Sequence, residues 1–374
     1  MTEAARDIVI PEELRPRDGR FGSGPSKVRT EALAALLESG PSFLGTSHRQ
    51  AAVKDVVHGL RAGLVELFAL PEGYEVALGV GGATAFWDAM AFGLIERKSQ
   101  HLVFGEFSSK CAQAAAACPH LSDPHIVESE VGTHPLPEPA DDIDLYALTQ
   151  NETSTGVAMP ITRPSPVSFV CVDATSAAAG MPVDPAAFDV YYFSPQKGLA
   201  SDAGLWLALC SPLAIDRIGK LAASGRYIPP SLDLQIALEN SRKDQTYNTP
   251  PLASLFLMVE QLEWILANGG LTWAVGRCAR SADILYSWAE GSPVATPFVM
   301  TPEQRSPVVG TIDFVEGVDA TAISAALRAN GIVDTEPYRK LGRNQLRIGM
   351  YPAVDPEDVE SLTRCLDFVV DALT

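Results

Sequence analysis

The chain has 374 residues, more than a single hydrophobic core usually serves, so two domains sharing an interface are expected. Its 28 basic against 46 acidic residues leave a formal charge of −18, which argues against nucleic acid or an anionic membrane as the main partner, since both require a basic face. Six cysteines (Cys111, Cys118, Cys171, Cys210, Cys278 and Cys365) are scattered without CxxC or Cys/His spacing, so reduced thiols and no metal site are expected. The opening MTEAARDIVIPEEL lacks the basic end and apolar stretch of a signal peptide. No uncharged apolar run approaches the roughly 18 residues of a membrane span, and the expectation is a soluble cytoplasmic protein.

Residues 1–17 read as an N-terminal arm, and RPRDGRFGSGPSKV as an extended segment that turns sharply before the first helix. EALAALLES, Glu31 to Ser39, has helical periodicity and is expected to stop at Gly40-Pro41. Ser47 and His48 precede a long amphipathic helix expected to end at Leu70-Pro71. YEVALGV then reads as a buried strand, followed at once by GGATAFWDAMAFGLI, a glycine turn opening into an apolar helix. Such a turn aims backbone N–H groups and the positive end of the helix dipole at one point, which suits a phosphate. It is neither a Walker loop nor GxGxxG, and glycines at such turns also serve close packing alone.

HLVFGEFSSKCAQAAAAC gives a second strand, turn and helix, and residues 120–144 read as proline-rich, acidic surface loops around one strand. LYALTQNETSTGV is a strand running into a polar turn, VSFVCVDATSAAAG a strand broken by Asp173, and FDVYYF and GLWLALC two further strands. Strands alternating with helices predict an α/β fold with a mainly parallel sheet, helices on both faces and ligands at the strands' carboxyl ends. Beyond Ser211 the chain becomes more helical. The segments VVGTIDFV, ATAISAALRANGIV, LRIGM and PEDVESLTRCLDFVVDAL then form a strand, helix, strand, helix unit. The expected division is a large domain over 18–265 and a smaller C-terminal α+β domain over 266–374.

Lys197 is one of eight lysines and the only one between Lys110 and Lys220, set in a polar turn between two apolar strands. A lysine held in a partly dry site loses its proton more easily, as imine formation requires. Taken alone it reads more simply as a solvated turn lysine. Asp173, 24 positions earlier, ends another apolar strand and alone reads as a turn cap. Together, at the same edge of a parallel sheet, the amine and carboxylate suit pyridoxal 5′-phosphate: the lysine forms the imine and the carboxylate keeps the pyridine nitrogen protonated. Residues 81–84 would hold the phosphate.

The ordered set FGSGPS, SHR at 47–49, GGATA at 81–85, NETSTG at 151–156, VDATS at 172–176, SPQKG at 194–198 and TYNTPP at 246–251 resembles the phosphoserine aminotransferases. These are class V members of the fold type I pyridoxal-phosphate enzymes, and the resemblance runs over nearly the whole chain. It implies that Lys197 is the imine-forming lysine and proton-transfer base, and that Asp173 pairs with the ring nitrogen. It further implies that Phe107 stacks on the ring, Thr153 hydrogen-bonds the cofactor, and Ala83, Thr84 and Gln196 contact its phosphate. Asn248 and Thr249 would reach the neighbouring subunit's phosphate, which implies a homodimer. Arg49 matches the substrate-carboxylate arginine, with His48 beside it at the substrate phosphate.

YRKLGRNQLR, Tyr338 to Arg347, concentrates three arginines and a lysine, and Arg339 and Arg347 are the candidates for the substrate's anionic groups. Many members of the family carry arginine where this chain has Thr84, asparagine where it has Gly198, and His-Arg where it has Tyr338-Arg339. The implied reaction passes an amino group between glutamate/2-oxoglutarate and 3-phosphohydroxypyruvate/O-phosphoserine in serine biosynthesis, with vitamin B6 synthesis as a second role. The alternatives are another class V enzyme, such as an alanine–glyoxylate aminotransferase or a cysteine desulfurase, and a catalytically inactive binding protein on the same fold. The arginine cluster, the helical setting of Cys365 and the intact Asp173, Gln196 and Lys197 argue against these in turn.

Overall fold

A computed structural model describes residues 5–374, so the first four residues of the expected arm lie outside the described residues. Helix α1 (Thr30–Phe43) does not stop at Gly40-Pro41 as expected but continues through Pro41. Pro41 falls in the last turn, where it removes one i→i−4 bond, and that turn is held by burial of Phe43, whose ring lies 5.8 Å from that of Phe256. Helix α2 (Ala51–Leu67) ends three residues before Leu70, once Leu60, Leu64 and Leu67 complete its buried stripe; Ala69 then turns the chain at φ 47°.

The large sheet contains β1 (Glu75–Val80), β2 (Ser99–Val103), β3 (His125–Glu128), β4 (Leu145–Thr149), β7 (Val170–Asp173), β8 (Val190–Phe193) and β9 (Leu205–Cys210). A two-stranded ribbon of β5 (Asn151–Glu152) and β6 (Val157–Ala158) follows β4. The sheet order is β1-β9-β8-β7-β4-β2-β3; β9 runs antiparallel to both neighbours and the remaining pairs are parallel. Every residue of β4, β7, β8 and β9 is buried, as expected for strands covered on both faces.

Alternate side chains feed two cores. On one face Leu148, Val172, Tyr191 and Phe193 pack with Leu60 and Leu64 of α2 and with Met258 and Leu262 of α7 (Leu252–Ala267). On the other, Cys171, Tyr192, Trp206 and Ala208 pack with Phe86 and Met90 of α3 (Ala83–Gly93), Cys111 of α4 (Glu106–Ala116), Ile218 of α5 (Pro212–Ala222) and Leu238 of α6 (Leu234–Ser241). Helix α6 was not legible in the sequence because its eight residues give barely two turns of periodicity. All six cysteines are free and buried.

The C-terminal part comprises α8 (Gly270–Gly291), β10 (Ala295–Pro297), β11 (Val309–Phe314), α9 (Ala320–Ala329), β12 (Gln345–Gly349) and α10 (Pro356–Leu373), with an antiparallel sheet ordered β10-β11-β12. Its core of Leu285, Ile312, Ile323, Leu346, Ile348 and Leu362 also takes in Ile10 and Phe21 from the beginning of the chain. Phe21 N donates to the Val333 carbonyl at 3.2 Å, and Gly349 N to the Phe21 carbonyl at 2.7 Å. Among the described residues no helix is long and apolar enough to cross a membrane.

Because β1, β4, β7 and β8 point the same way, the segments after their carboxyl ends converge on one edge of the sheet. The FGSGPS segment reaches that edge from the other side after crossing β12. The crossing leaves no room at Gly349, where an added Cβ would lie 2.4 Å from the Gly22 carbonyl oxygen. Gly349→Ala is therefore expected to destabilise the protein by about 1–3 kcal/mol, measured as a lower denaturant midpoint with an unchanged slope.

Candidate active site

Lys197 follows β8 in the turn 194–204 and is 9% exposed. Its ammonium donates to the Ser23 carbonyl at 2.6 Å, and that oxygen also accepts from Tyr351 Oη at 2.9 Å. Two further bonds clamp the turn to the same N-terminal segment. Ser26 N donates to the Gln196 carbonyl at 2.9 Å and Ser26 Oγ to the Lys197 carbonyl at 2.6 Å. Burial and, secondarily, Arg347 lower the Lys197 pKa to about 7 against the opposing influence of Asp173 and Glu152. The amine thus shares a closed site with one cation and two carboxylates and is substantially uncharged near neutral pH.

Asp173 ends β7 and is 6% exposed. Its Oδ2 accepts from Trp87 Nε1 at 3.0 Å and from Tyr192 Oη at 3.1 Å, and its Oδ1 from Thr175 N at 2.9 Å. These three donors fix the orientation of the carboxylate that a protonated ring nitrogen would meet. Neither Trp87 nor Tyr192 figures in the sequence reading, because β7, β8 and α3 meet only through the sheet.

Lys197, Asp173, Ala83, Thr84, Phe107, Thr153 and Gln196 line one cavity of about 330 Å³, together with Gly81, Gly82, Trp87, Asn151, Thr175 and Ser176. Gly81 and Gly82, at φ 129° and 85°, turn the chain from β1 into α3 without a side-chain cap, so the positive end of that helix opens onto the cavity. The Ala83 N–H is taken by Ser194 Oγ at 2.7 Å. Ser176 Oγ accepts from Thr153 Oγ1 at 2.8 Å and from Asn151 Nδ2 at 2.9 Å. Buried Gln196 Oε1, Asn151 Oδ1 and Thr175 Oγ1 have no partner. Such orphaned polar atoms mark a ligand site: the start of α3 fits the phosphate of pyridoxal phosphate, and the two amide oxygens, which accept, and the Thr175 hydroxyl fit polar substituents of its ring.

The basic cluster at 338–347 is dispersed by folding. Lys340 is paired with Glu106, Arg343 with Asp313 at 3.0 Å, and Arg339 is exposed on a single 3₁₀ turn. Arg347, on β12, turns inward: its Nη1 donates to the Thr153 carbonyl at 3.1 Å, its Nε has no partner, and its guanidinium lies 5.3 Å from the centre of the Tyr338 ring. The Tyr338 ring in turn lies 6.0 Å from that of Phe107. Tyr338 therefore packs between Arg347 and Phe107. Gly198 has a steric reason, since an added Cβ would lie 2.1 Å from the Ala178 carbonyl oxygen.

His48, Arg49, Asn248 and Thr249 do not line this cavity. His48 Nδ1 lies 3.3 Å from Thr249 Oγ1, and Arg49, Asn248 and Thr249 are exposed. Burial, and secondarily Arg49, lowers the His48 pKa, and its Nε2 has no partner.

Two outcomes follow from the lysine's surroundings. The rate at which apoprotein captures pyridoxal phosphate should rise with pH through an inflection near 7. Between that pH and the ordinary lysine value of 10.5 the unfolded chain binds a proton that the folded chain lacks, so apoprotein stability should rise with pH relative to Lys197→Met. Chemical denaturation of both proteins from pH 6 to 10 checks the sign. At Gly24, φ 146°, an added Cβ would lie 1.7 Å from Lys197 Nζ. Gly24→Ala should displace the amine and lower the capture rate by at least about tenfold, measured by stopped-flow absorbance.

A profile described as aminotransferase class-V matches residues 134–362. The chain is 59% identical to a phosphoserine aminotransferase of Nocardioides sp., over 100% of both chains. Among solved structures it is similar to a phosphoserine aminotransferase of Cytophaga hutchinsonii, with a TM-score of 0.85, 24% identity, and 94% of this chain and 99% of that one covered. It is likewise similar to a phosphoserine aminotransferase of Bacillus circulans subsp. alkalophilus, with a TM-score of 0.84, 23% identity, and 95% and 99% covered. A family match over more than half its length and a relative similar from end to end show that the chain belongs to the class-V aminotransferases, pyridoxal-phosphate-dependent enzymes of the mainly parallel α/β fold described above.

Proposed function

We infer that the protein catalyses transfer of the amino group between L-glutamate/2-oxoglutarate and 3-phosphohydroxypyruvate/O-phospho-L-serine, a step of serine biosynthesis. The observation that carries this reading is the juxtaposition in one cavity of the desolvated Lys197 amine and Asp173, with the guanidinium of Arg347 anchored on Thr153 beside them. The end-to-end likeness to a relative named phosphoserine aminotransferase supports the choice of substrate.

Bound pyridoxal phosphate supplies the electron sink that makes a Cα proton labile and carries the amino group between the two half-reactions. The protein's residues do the rest. Lys197 holds the cofactor covalently and, when released, moves the proton at Cα. Asp173, held by Trp87, Tyr192 and Thr175 N, keeps positive charge at the ring nitrogen. Gly81 to Thr84 and Gln196 take the phosphate, Phe107 covers the ring face, and Thr153 orients a ring substituent. Arg347 takes the substrate carboxylate, and Arg339 meets its phosphate from the rim.

A homodimer completes the site in this reading. His48, Arg49, Asn248 and Thr249 share one surface of the protomer, and a second copy would bring them to its neighbour's cavity. Exchange of the tested residues decides this: co-expressed Lys197→Ala and Arg49→Ala chains, each inactive alone, should regain activity, because one site of the mixed dimer has both residues intact. Inactivity of the mixture would place Arg49 in its own protomer's site.

The purified protein should form O-phosphoserine from glutamate and 3-phosphohydroxypyruvate, and prefer O-phosphoserine over alanine or serine by at least about 100-fold in kcat/KM. Absence of that preference would overturn the substrate assignment. Lys197→Ala should lose turnover. Arg347→Ala should lower kcat/KM for glutamate by about 10²–10³, since it leaves a carboxylate unpaired in a closed site.

A further inference from the structure

Glu152 is fully buried and, beyond its influence on the Lys197 amine, has no part in the chemistry described so far. It lies on β5, next to Thr153, and its carboxylate reaches across to the first turn of α4. Oε2 accepts from Phe107 N at 3.1 Å, Ser108 N at 2.9 Å and Ser108 Oγ at 3.0 Å. Oε1 accepts from Ser154 N at 3.2 Å and Ser154 Oγ at 2.7 Å.

The neighbours of the two hydroxyls constrain the direction of these bonds. Ser108 Oγ accepts from Phe104 N and Gly105 N, each at 3.1 Å, and Ser154 Oγ accepts from Glu106 N at 3.1 Å. Ser108 Oγ therefore has both lone pairs engaged and shares its proton between Glu152 and the Gly105 carbonyl at 3.2 Å, while Ser154 Oγ, which accepts once, donates to Glu152. Three of the carboxylate's partners are the backbone N–H groups of Phe107, Ser108 and Ser154, which only donate, so the site suits an acceptor and not an amide N–H. Gly105, the residue before α4, has no side chain to cap that helix, and a Cβ there would lie 2.3 Å from Glu152 Cγ. The cap comes instead from a segment 44 positions away in sequence.

We propose that Glu152 is a positioning residue for the transamination site, an internal anion that fixes two of its working parts at once. Through the Phe107 and Ser108 amides it sets the start of α4, and hence the Phe107 ring over the cavity. Through Ser154 it sets the Thr153 peptide, whose carbonyl holds the Arg347 guanidinium at 3.1 Å. Its charge acts on the same centre: the groups that bear on the Lys197 amine are Arg347, Asp173 and Glu152, and of these Glu152 and Asp173 favour the protonated form. Glu152 also counters the burial that lowers the Arg347 pKa, after Tyr351 and Tyr338. The inference rests on the roles inferred above for Phe107, Lys197 and Arg347.

The test compares parent, Glu152→Gln and Glu152→Asp as full-length proteins loaded with pyridoxal phosphate. The amide of Glu152→Gln turns an N–H₂ onto donors and removes the charge. We expect cofactor affinity at least about tenfold weaker, a changed near-ultraviolet dichroism of the bound cofactor, and a capture inflection at least about 0.5 pH unit lower than the parent's. Glu152→Asp keeps the charge but retracts the carboxylate by one methylene. It should keep the inflection and still weaken the cofactor dichroism and raise KM for glutamate, so it carries the test if the glutamine variant does not fold.

A lower melting temperature in both variants, with parental inflection, dichroism and KM, would show a purely structural cap and overturn the proposal. If the parent itself binds no pyridoxal phosphate, the transaminase reading fails and this inference with it. If the parent binds and turns over but the variants match it, only the role of Glu152 fails.

Discussion

Burying one amine is the constraint around which the molecule is built. An ammonium leaving water loses solvation that a single carbonyl, that of Ser23, restores only in part, and the chain answers by giving up the proton near neutral pH. The site is closed on Lys197 from three directions: the turn after β8, the N-terminal segment that supplies Ser23 and Ser26, and Tyr351 beyond β12. Reactivity and packing are thus the same fact. An amine exposed enough to be comfortable would be charged, and a charged amine is no nucleophile.

The N-terminal segment explains why the two parts of the chain act together. Phe21 is part of the C-terminal core, while Ser23 to Ser26 lie on the lysine turn of the large sheet. The stretch from Phe21 to Ser26 therefore connects the small sheet to the Lys197 amine, and glycines are required where it passes closely: Gly24 beside Lys197 Nζ, and Gly349 of β12 beside the Gly22 carbonyl. The core on the α2/α7 face continues the same coupling, since Leu255 and Met258 share a cluster with Cys278, Val308 and Tyr351.

Charge in this acidic protein is used locally rather than in bulk. Of the basic residues at 338–347, Lys340 and Arg343 are neutralised by Glu106 and Asp313, and Arg347 alone is drawn inward. The buried carboxylates Asp173 and Glu152 are each met by an array of hydrogen-bond donors, with no cation in direct contact. An arginine kept free at Nε and two fixed anions around one amine constitute an electrostatic frame that exists before any substrate arrives.

Much of this was legible in the amino-acid order. Strands of continuous apolar residues alternating with helices specify the parallel sheet, because only covered strands tolerate that pattern. The residues just past those strands (Gly81, Thr153, Asp173, Lys197) fall at one edge because parallel strands all end there. The helix that crosses Pro41, the short α6 and the antiparallel β9 were not legible, since burial and sheet pairing, rather than local propensity, decide them. Sequence by itself determined which residue types stand at the strand ends and in what order, among them Asp173 and Lys197. Only the tertiary structure decided which arginine turns inward, that Trp87 and Tyr192 hold Asp173, that Glu152 caps a helix 44 positions away, and that Ser23 receives the amine. Each of those is a contact between segments remote in sequence, and no local pattern encodes which donor will find which acceptor once the sheet has closed.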